Sequence, residues 1–76
     1  MQGRVKHCNS KGYGFIETDQ MIDFYFHHTE YKGDWKVLLR KYVAEEIINV
    51  EFENDTNAPS GPRALNVRIK DILKNE

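Results

Sequence analysis

Flat rings at every second position are the first chemistry this chain offers. Lys11-Gly12-Tyr13-Gly14-Phe15-Ile16 sets Tyr13 and Phe15 two apart, and Asp23-Phe24-Tyr25-Phe26-His27-His28 does the same for Tyr25 and His27. In extended backbone alternate side chains share a face. One face of such strands therefore carries Tyr13, Phe15, Tyr25 and His27, and the other carries Gly14, Ile16, Phe24 and Phe26. Every nucleobase has a π-face, and stacking one on an aromatic side chain is worth ~1–3 kcal/mol. Lys6, Lys11 and Arg63 would add phosphate or base contacts around such a platform. The pattern alone also allows the reverse assignment, with the four rings as core, because aromatic side chains are often buried.

Metal and nucleophile chemistry is thinly represented. His7, Cys8, His27 and His28 are ligand types, but no C-x-x-C or H-x-x-x-H spacing exists. Neighbours in a strand point to opposite faces, so neither His7 with Cys8 nor His27 with His28 is expected to converge without a bulge. No metal site and no cofactor is expected, and Cys8 reads as a small core filler. No third group stands at a spacing that would orient a cysteine–histidine or histidine pair for catalysis. Lys11-Gly12-Tyr13-Gly14 leads into a strand rather than a helix, so it is not a phosphate loop. No enzyme is expected. Imidazoles beside a polyanion would gain charge between about pH 7 and 5.5, which predicts tighter binding at lower pH.

The elements that must position these residues alternate with turns. Arg4–Cys8 reads as a first strand, broken by Asn9-Ser10-Lys11-Gly12; Tyr13–Glu17 follows, then a turn at Thr18-Asp19-Gln20, then Asp23–His28. Ile48–Glu53 alternates apolar and polar, residues 54–62 form a loop, and Leu65, Val67 and Ile69 alternate with Asn66, Arg68 and Lys70. Between the third and fourth strands the period changes. Trp35, Leu38, Leu39, Tyr42, Val43 and Ile47 fall at spacings of three and four, with Asp34 as N-cap, predicting a helix over 34–46. Five short strands in so small a chain favour a closed all-β barrel, because closure removes exposed edges.

Composition bounds the rest. Seventy-six residues make one small domain with little core to spare for a deep catalytic pocket. Eleven basic against twelve acidic side chains, net charge −1, exclude a polybasic tail or stripe. One cysteine forms no internal disulfide and suits a reducing, cytoplasmic setting. No apolar run reaches the ~18 residues of a membrane span, and Met1-Gln2-Gly3-Arg4 does not open a signal peptide.

Three motifs, in order, resemble the bacterial cold-shock proteins. Gly3-Arg4-Val5-Lys6, Asn9 and Lys11-Gly12-Tyr13-Gly14-Phe15-Ile16 are similar to their opening and first ribonucleoprotein motif. Asp23-Phe24-Tyr25-Phe26-His27-His28-Thr29 is similar to their second, D-V-F-V-H-F-S, and Gly61-Pro62-Arg63-Ala64-Leu65-Asn66-Val67 to their closing G-P-x-A-x-N-V. The resemblance implies a five-stranded oligonucleotide-binding barrel over residues 1–70, with 34–46 as a helical insertion and 71–76 as a tail. It implies exposed rings that bind single-stranded RNA or DNA, in a protein acting as an RNA chaperone. Tyr13, Phe15, Tyr25 and His27 fall on the family's stacking positions; Lys6, Asn9, Lys11 and Asp23 fall on its polar contact positions.

The departures are specific. His7 replaces the family's surface tryptophan, Cys8 the phenylalanine after it, His28 the aromatic that follows the second-motif histidine, and Arg63 a common glutamine. The first turn is one residue short, and the connection before Val50 is longer than usual. Trp35 stands for a loop aromatic, either as a further stacking ring or as packing for the helix. A histidine stacks with less area than a tryptophan, so the platform should be weaker at His7 by up to ~1–3 kcal/mol. Few phosphate contacts at this net charge predict a shallow salt dependence. A different class of function is also open: docking of a protein partner or a second copy through 34–46, where Leu38, Leu39, Tyr42 and Val43 exceed what one short helix needs to hold a small core.

Overall fold

Alternation in the strands and side-chain hydrogen bonds in the turns build one sheet. The computed structural model describes residues 1–55 and 61–70. It contains β1 (Gln2–Cys8), β2 (Tyr13–Glu17), β3 (Asp23–His27), β4 (Asn49–Asn54) and β5 (Ala64–Ile69), with a short 3-10 turn at His28–Glu30 and a helix α1 (Trp35–Val43) between β3 and β4. The sheet order is β3-β2-β1-β4-β5, every neighbour antiparallel. Asn9 Oδ1 accepts the Lys11 N–H at 3.0 Å in the first turn, where Gly12 takes φ 99°. Thr18 Oγ1 accepts the N–H groups of Gln20 and Ile22 in the second.

The ends of the sheet meet. Tyr25 N–H donates to Pro62 O at 3.1 Å and Lys32 N–H to Val67 O at 2.7 Å, and single parallel bridges join Tyr25 with Arg63 and Tyr31 with Val67. The expected five-stranded barrel is thus present, with β3 and β5 at its seam. Inside lie Val5, Cys8, Ile16, Phe24, Phe26, Leu38, Val50, Phe52 and Val67.

Two bulges correct the simple alternation. In β1 the register runs Val5↔Ile16 and then His7↔Phe15, so Lys6 is an extra residue; Val5 and Cys8 both face inward while His7 stays at the surface. In β5 the register passes from Glu51↔Arg68 to Glu53↔Leu65, and Asn66 takes φ 51°. Simple alternation would put Leu65, Val67 and Ile69 on one face; instead Ala64 and Val67 are the buried residues of β5, and Ile69 is left 38% exposed. Gly14 is buried opposite the β1 bulge, where a Cβ would come within 3.0 Å of Cys8 Cα. No larger residue fits there without moving backbone.

The helix starts as predicted, with Asp34 Oδ1 accepting the Lys36 N–H at 2.9 Å, but ends at Val43 instead of reaching Glu46. Glu45 N–H donates to Tyr42 O and Glu46 N–H to Lys41 O, with Glu45 at φ 61°, which is a Schellman stop carrying glutamate where glycine is usual. Trp35, Leu38, Leu39 and Tyr42 pack on the barrel, whereas Val43 and Ile47, expected on that face, are 76% and 73% exposed. Val43 sits at the edge of the helical stripe, about 80° from Trp35 at 100° per residue, and Ile47 lies beyond the stop. The tail 71–76 and positions 56–60 of the predicted loop lie outside the described residues. Among the described residues no helix is long and apolar enough to cross a membrane.

Candidate nucleic-acid interface

The β2–β3 register is what gathers the rings. Tyr13 pairs with His27 and Phe15 with Tyr25, so four side chains from two strands stand side by side. They are partly exposed, while Gly14, Ile16, Phe24 and Phe26 on the opposite face are buried. Tyr13 and Tyr25 stack at 5.8 Å and 27°, and Phe15 meets them edge-on at 6.2 and 5.9 Å. The β1 bulge then adds His7, whose ring lies 6.4 Å from Phe15. The result is a continuous row of rings across β3, β2 and β1.

His7 is held by a chain of polar contacts whose direction can be read. Asn9 Oδ1 accepts a backbone N–H from Lys11, so its amide Nδ2 faces His7 Nε2, at 3.4 Å. An amide nitrogen only donates, so Nε2 accepts and the neutral ring carries its proton on Nδ1. That N–H points to the Tyr42 hydroxyl oxygen, 3.4 Å away. Tyr42 also packs edge-on against His7 at 5.7 Å. This helix residue belongs to the ring row; its helical spacing in the sequence placed it on the apolar face of 34–46, as packing or as part of a docking surface, and not among the binding rings.

His27 and His28 correct an expectation. Their rings lie 4.4 Å apart, because the strand ends at His27 and His28 begins the 3-10 turn, where opposite-face alternation no longer applies. His27 Nδ1 accepts from Thr29 N–H and lies 2.8 Å from its hydroxyl, so the neutral ring presents its Nε2–H outward. His7 and Cys8, as expected, face opposite sides. Among the described residues no group of three or more His, Cys, Asp or Glu gathers at one point.

Trp35 is mainly a packing residue. Its indole contacts Phe26 at 5.6 Å and Tyr31 at 6.1 Å, and its N–H donates to Asn9 O at 3.0 Å. It also stands 6.2 Å from His28, so it supports one end of the row from behind. Cys8 is 3% exposed, and burial pushes its thiol above the ordinary value.

The polar residues frame the rings. Lys6 Nζ pairs with Asp23 at 3.0 Å across the end of β2, and this hydrogen bond, with the carboxylate's charge, holds the lysine above its ordinary range. Both partners are about half exposed, so the pair is weak and open to exchange with a phosphate. Lys11 is exposed in the first turn and forms no ion pair among the described residues. Arg63 sits beside Tyr25 at the seam, and its Nε is buried with no hydrogen-bond partner among the described residues. A buried donor of this kind is normally satisfied by a protein group or an ordered water.

Residues 1–70 match the family described as 'Cold-shock' DNA-binding domain. No curated protein matches the chain.

Proposed function

The chain belongs to the cold-shock domain family, a nucleic-acid-binding family with this five-stranded oligonucleotide-binding fold, and from that premise we propose that it captures unpaired RNA or DNA strands as a cytoplasmic RNA chaperone. The strand lies extended across β1, β2 and β3, with bases stacked on Tyr13, Phe15, Tyr25, His27 and His7. His28, backed by Trp35, continues the row. Lys6, Asn9, Lys11, Asp23 and Arg63 meet the backbone and base edges. Holding the open form of a hairpin shifts its equilibrium without a catalytic step and without a nucleotide cofactor.

One observation carries the reading: four partly exposed rings share one sheet face while the opposite face of the same strands is buried. Charge adds little, so base stacking is the main source of affinity. A backbone amide NMR titration with short oligo-dT or oligo-U tests it. Shifts gathered on Lys6, His7, Tyr13, Phe15, Tyr25 and His27 are expected, and their absence at millimolar strand refutes the proposal.

A second reading has one observation in its favour. Val43 and Ile47, 76% and 73% exposed at the end of the 34–46 insertion, form an apolar surface suited to a protein partner or a second copy. Mass that rises with protein concentration, lost in Val43→Ser, would support it.

A further inference from the structure

We propose that Tyr42, on the insertion helix, reads the edge of the base stacked on His7, adding a hydrogen-bonding position outside the barrel strands to the interface proposed above, on which this inference rests. The ring row does not stop at β1. Tyr42 stands 5.7 Å from His7 at 79°, so a base lying flat on the imidazole meets the tyrosine as a side wall. The polar chain already described sets the chemistry. Asn9 donates to His7 Nε2, His7 Nδ1–H donates to the Tyr42 oxygen, and the phenol's own proton is left to donate away from His7.

The surroundings choose the acceptor. Tyr42 lines an open groove of about 640 Å³ between α1 and β1. The groove holds Glu17, Glu45 and Glu46 against Arg4 and Lys6; Lys6 is paired with Asp23 and Glu46 with Lys41, which leaves Glu17 and Glu45 against Arg4. A phosphate is disfavoured beside this surplus of carboxylates, whereas a neutral base acceptor is not. Pyrimidine carbonyl oxygens, as in thymine and uracil, fit this donor.

The test measures affinity for oligo-dT in the parent, Tyr42→Phe, Tyr42→Ala and Phe15→Ala. Tyr42→Phe keeps the ring and removes the hydroxyl, both the donor to the base and the acceptor for His7 Nδ1–H, and is expected to weaken strand binding about 2- to 12-fold, the value of one neutral hydrogen bond to the base. Tyr42→Ala is expected to weaken it further. If Phe15→Ala loses affinity while both Tyr42 variants bind like the parent, the Tyr42 assignment is overturned and the platform stands. If the parent binds no strand at all, the platform fails and this inference falls with it. A Tyr42→Phe loss that disappears at high salt marks a phosphate contact and overturns the base assignment. Should Tyr42→Ala not fold, Tyr42→Phe still decides the matter. So does the ring 15N spectrum of the parent, where a neutral His7 protonated on Nε2 would refute the arrangement.

Discussion

Phe15→Ala and Phe26→Ala, one ring from each face of the sheet, should fail in opposite ways. Phe15 is partly exposed at the centre of the row, within 6.4 Å of the rings of His7, Tyr13 and Tyr25. Its removal takes away one stacking position, ~1–3 kcal/mol, which weakens strand binding about 5- to 150-fold. Its cost to folding is limited to ring contacts it shares at the surface, roughly 1–2 kcal/mol. Phe26 is 0% exposed, and truncating a buried phenylalanine costs about 3–5 kcal/mol. A domain of this length has only about 4–11 kcal/mol in total at 0.05–0.15 per residue. Phe26→Ala should therefore lie close to unfolding. Urea denaturation and anisotropy titration with labelled oligo-dT, run on both variants, separate the effects. If Phe15→Ala binds like the parent, the stacking role is refuted. If it unfolds as readily as Phe26→Ala, the assignment of the two faces is refuted.

Glu45 holds φ 61° at the helix stop, which costs an L-residue about 1–2 kcal/mol, of which roughly 0.4–1 returns as lost chain entropy when glycine replaces it. Glu45→Gly should stabilise by roughly 0.5–1 kcal/mol, raising Tm by about 2–8 °C; an unchanged or lower melting point would contradict the stop. Gly14→Ala forces a methyl against the β1 backbone near Cys8 and should destabilise by about 1–3 kcal/mol, read from the urea midpoint. Burial raises the Cys8 thiol and, with a smaller push from Asp34 and Cys8, the Tyr31 phenol. The unfolded chain then releases these protons first, so the native state binds more of them and stability should fall as pH rises above about 9. Cys8→Ala should flatten the onset of that fall, and native Cys8 should resist alkylation until the protein unfolds.

The sequence by itself determined the element order. Period two in Tyr13–Glu17 and Asp23–His27 and the capped three-and-four spacing from Asp34 are local signals, and local backbone preference is enough to read them. It also placed Tyr13, Phe15, Tyr25 and His27 on one face, because alternation needs no partner strand. Which face met water was not in that pattern. Burial belongs to the closed sheet, and only the resemblance pointed to the outside. The tertiary structure decided the rest. Lys6 and Asn66 become extra residues only when neighbouring strands impose a register, which keeps His7 at the surface and withdraws Ile69 from the core. Tyr42 reaches His7 across thirty-five positions of sequence because α1 folds back over β1, and no spacing rule spans a contact set by packing.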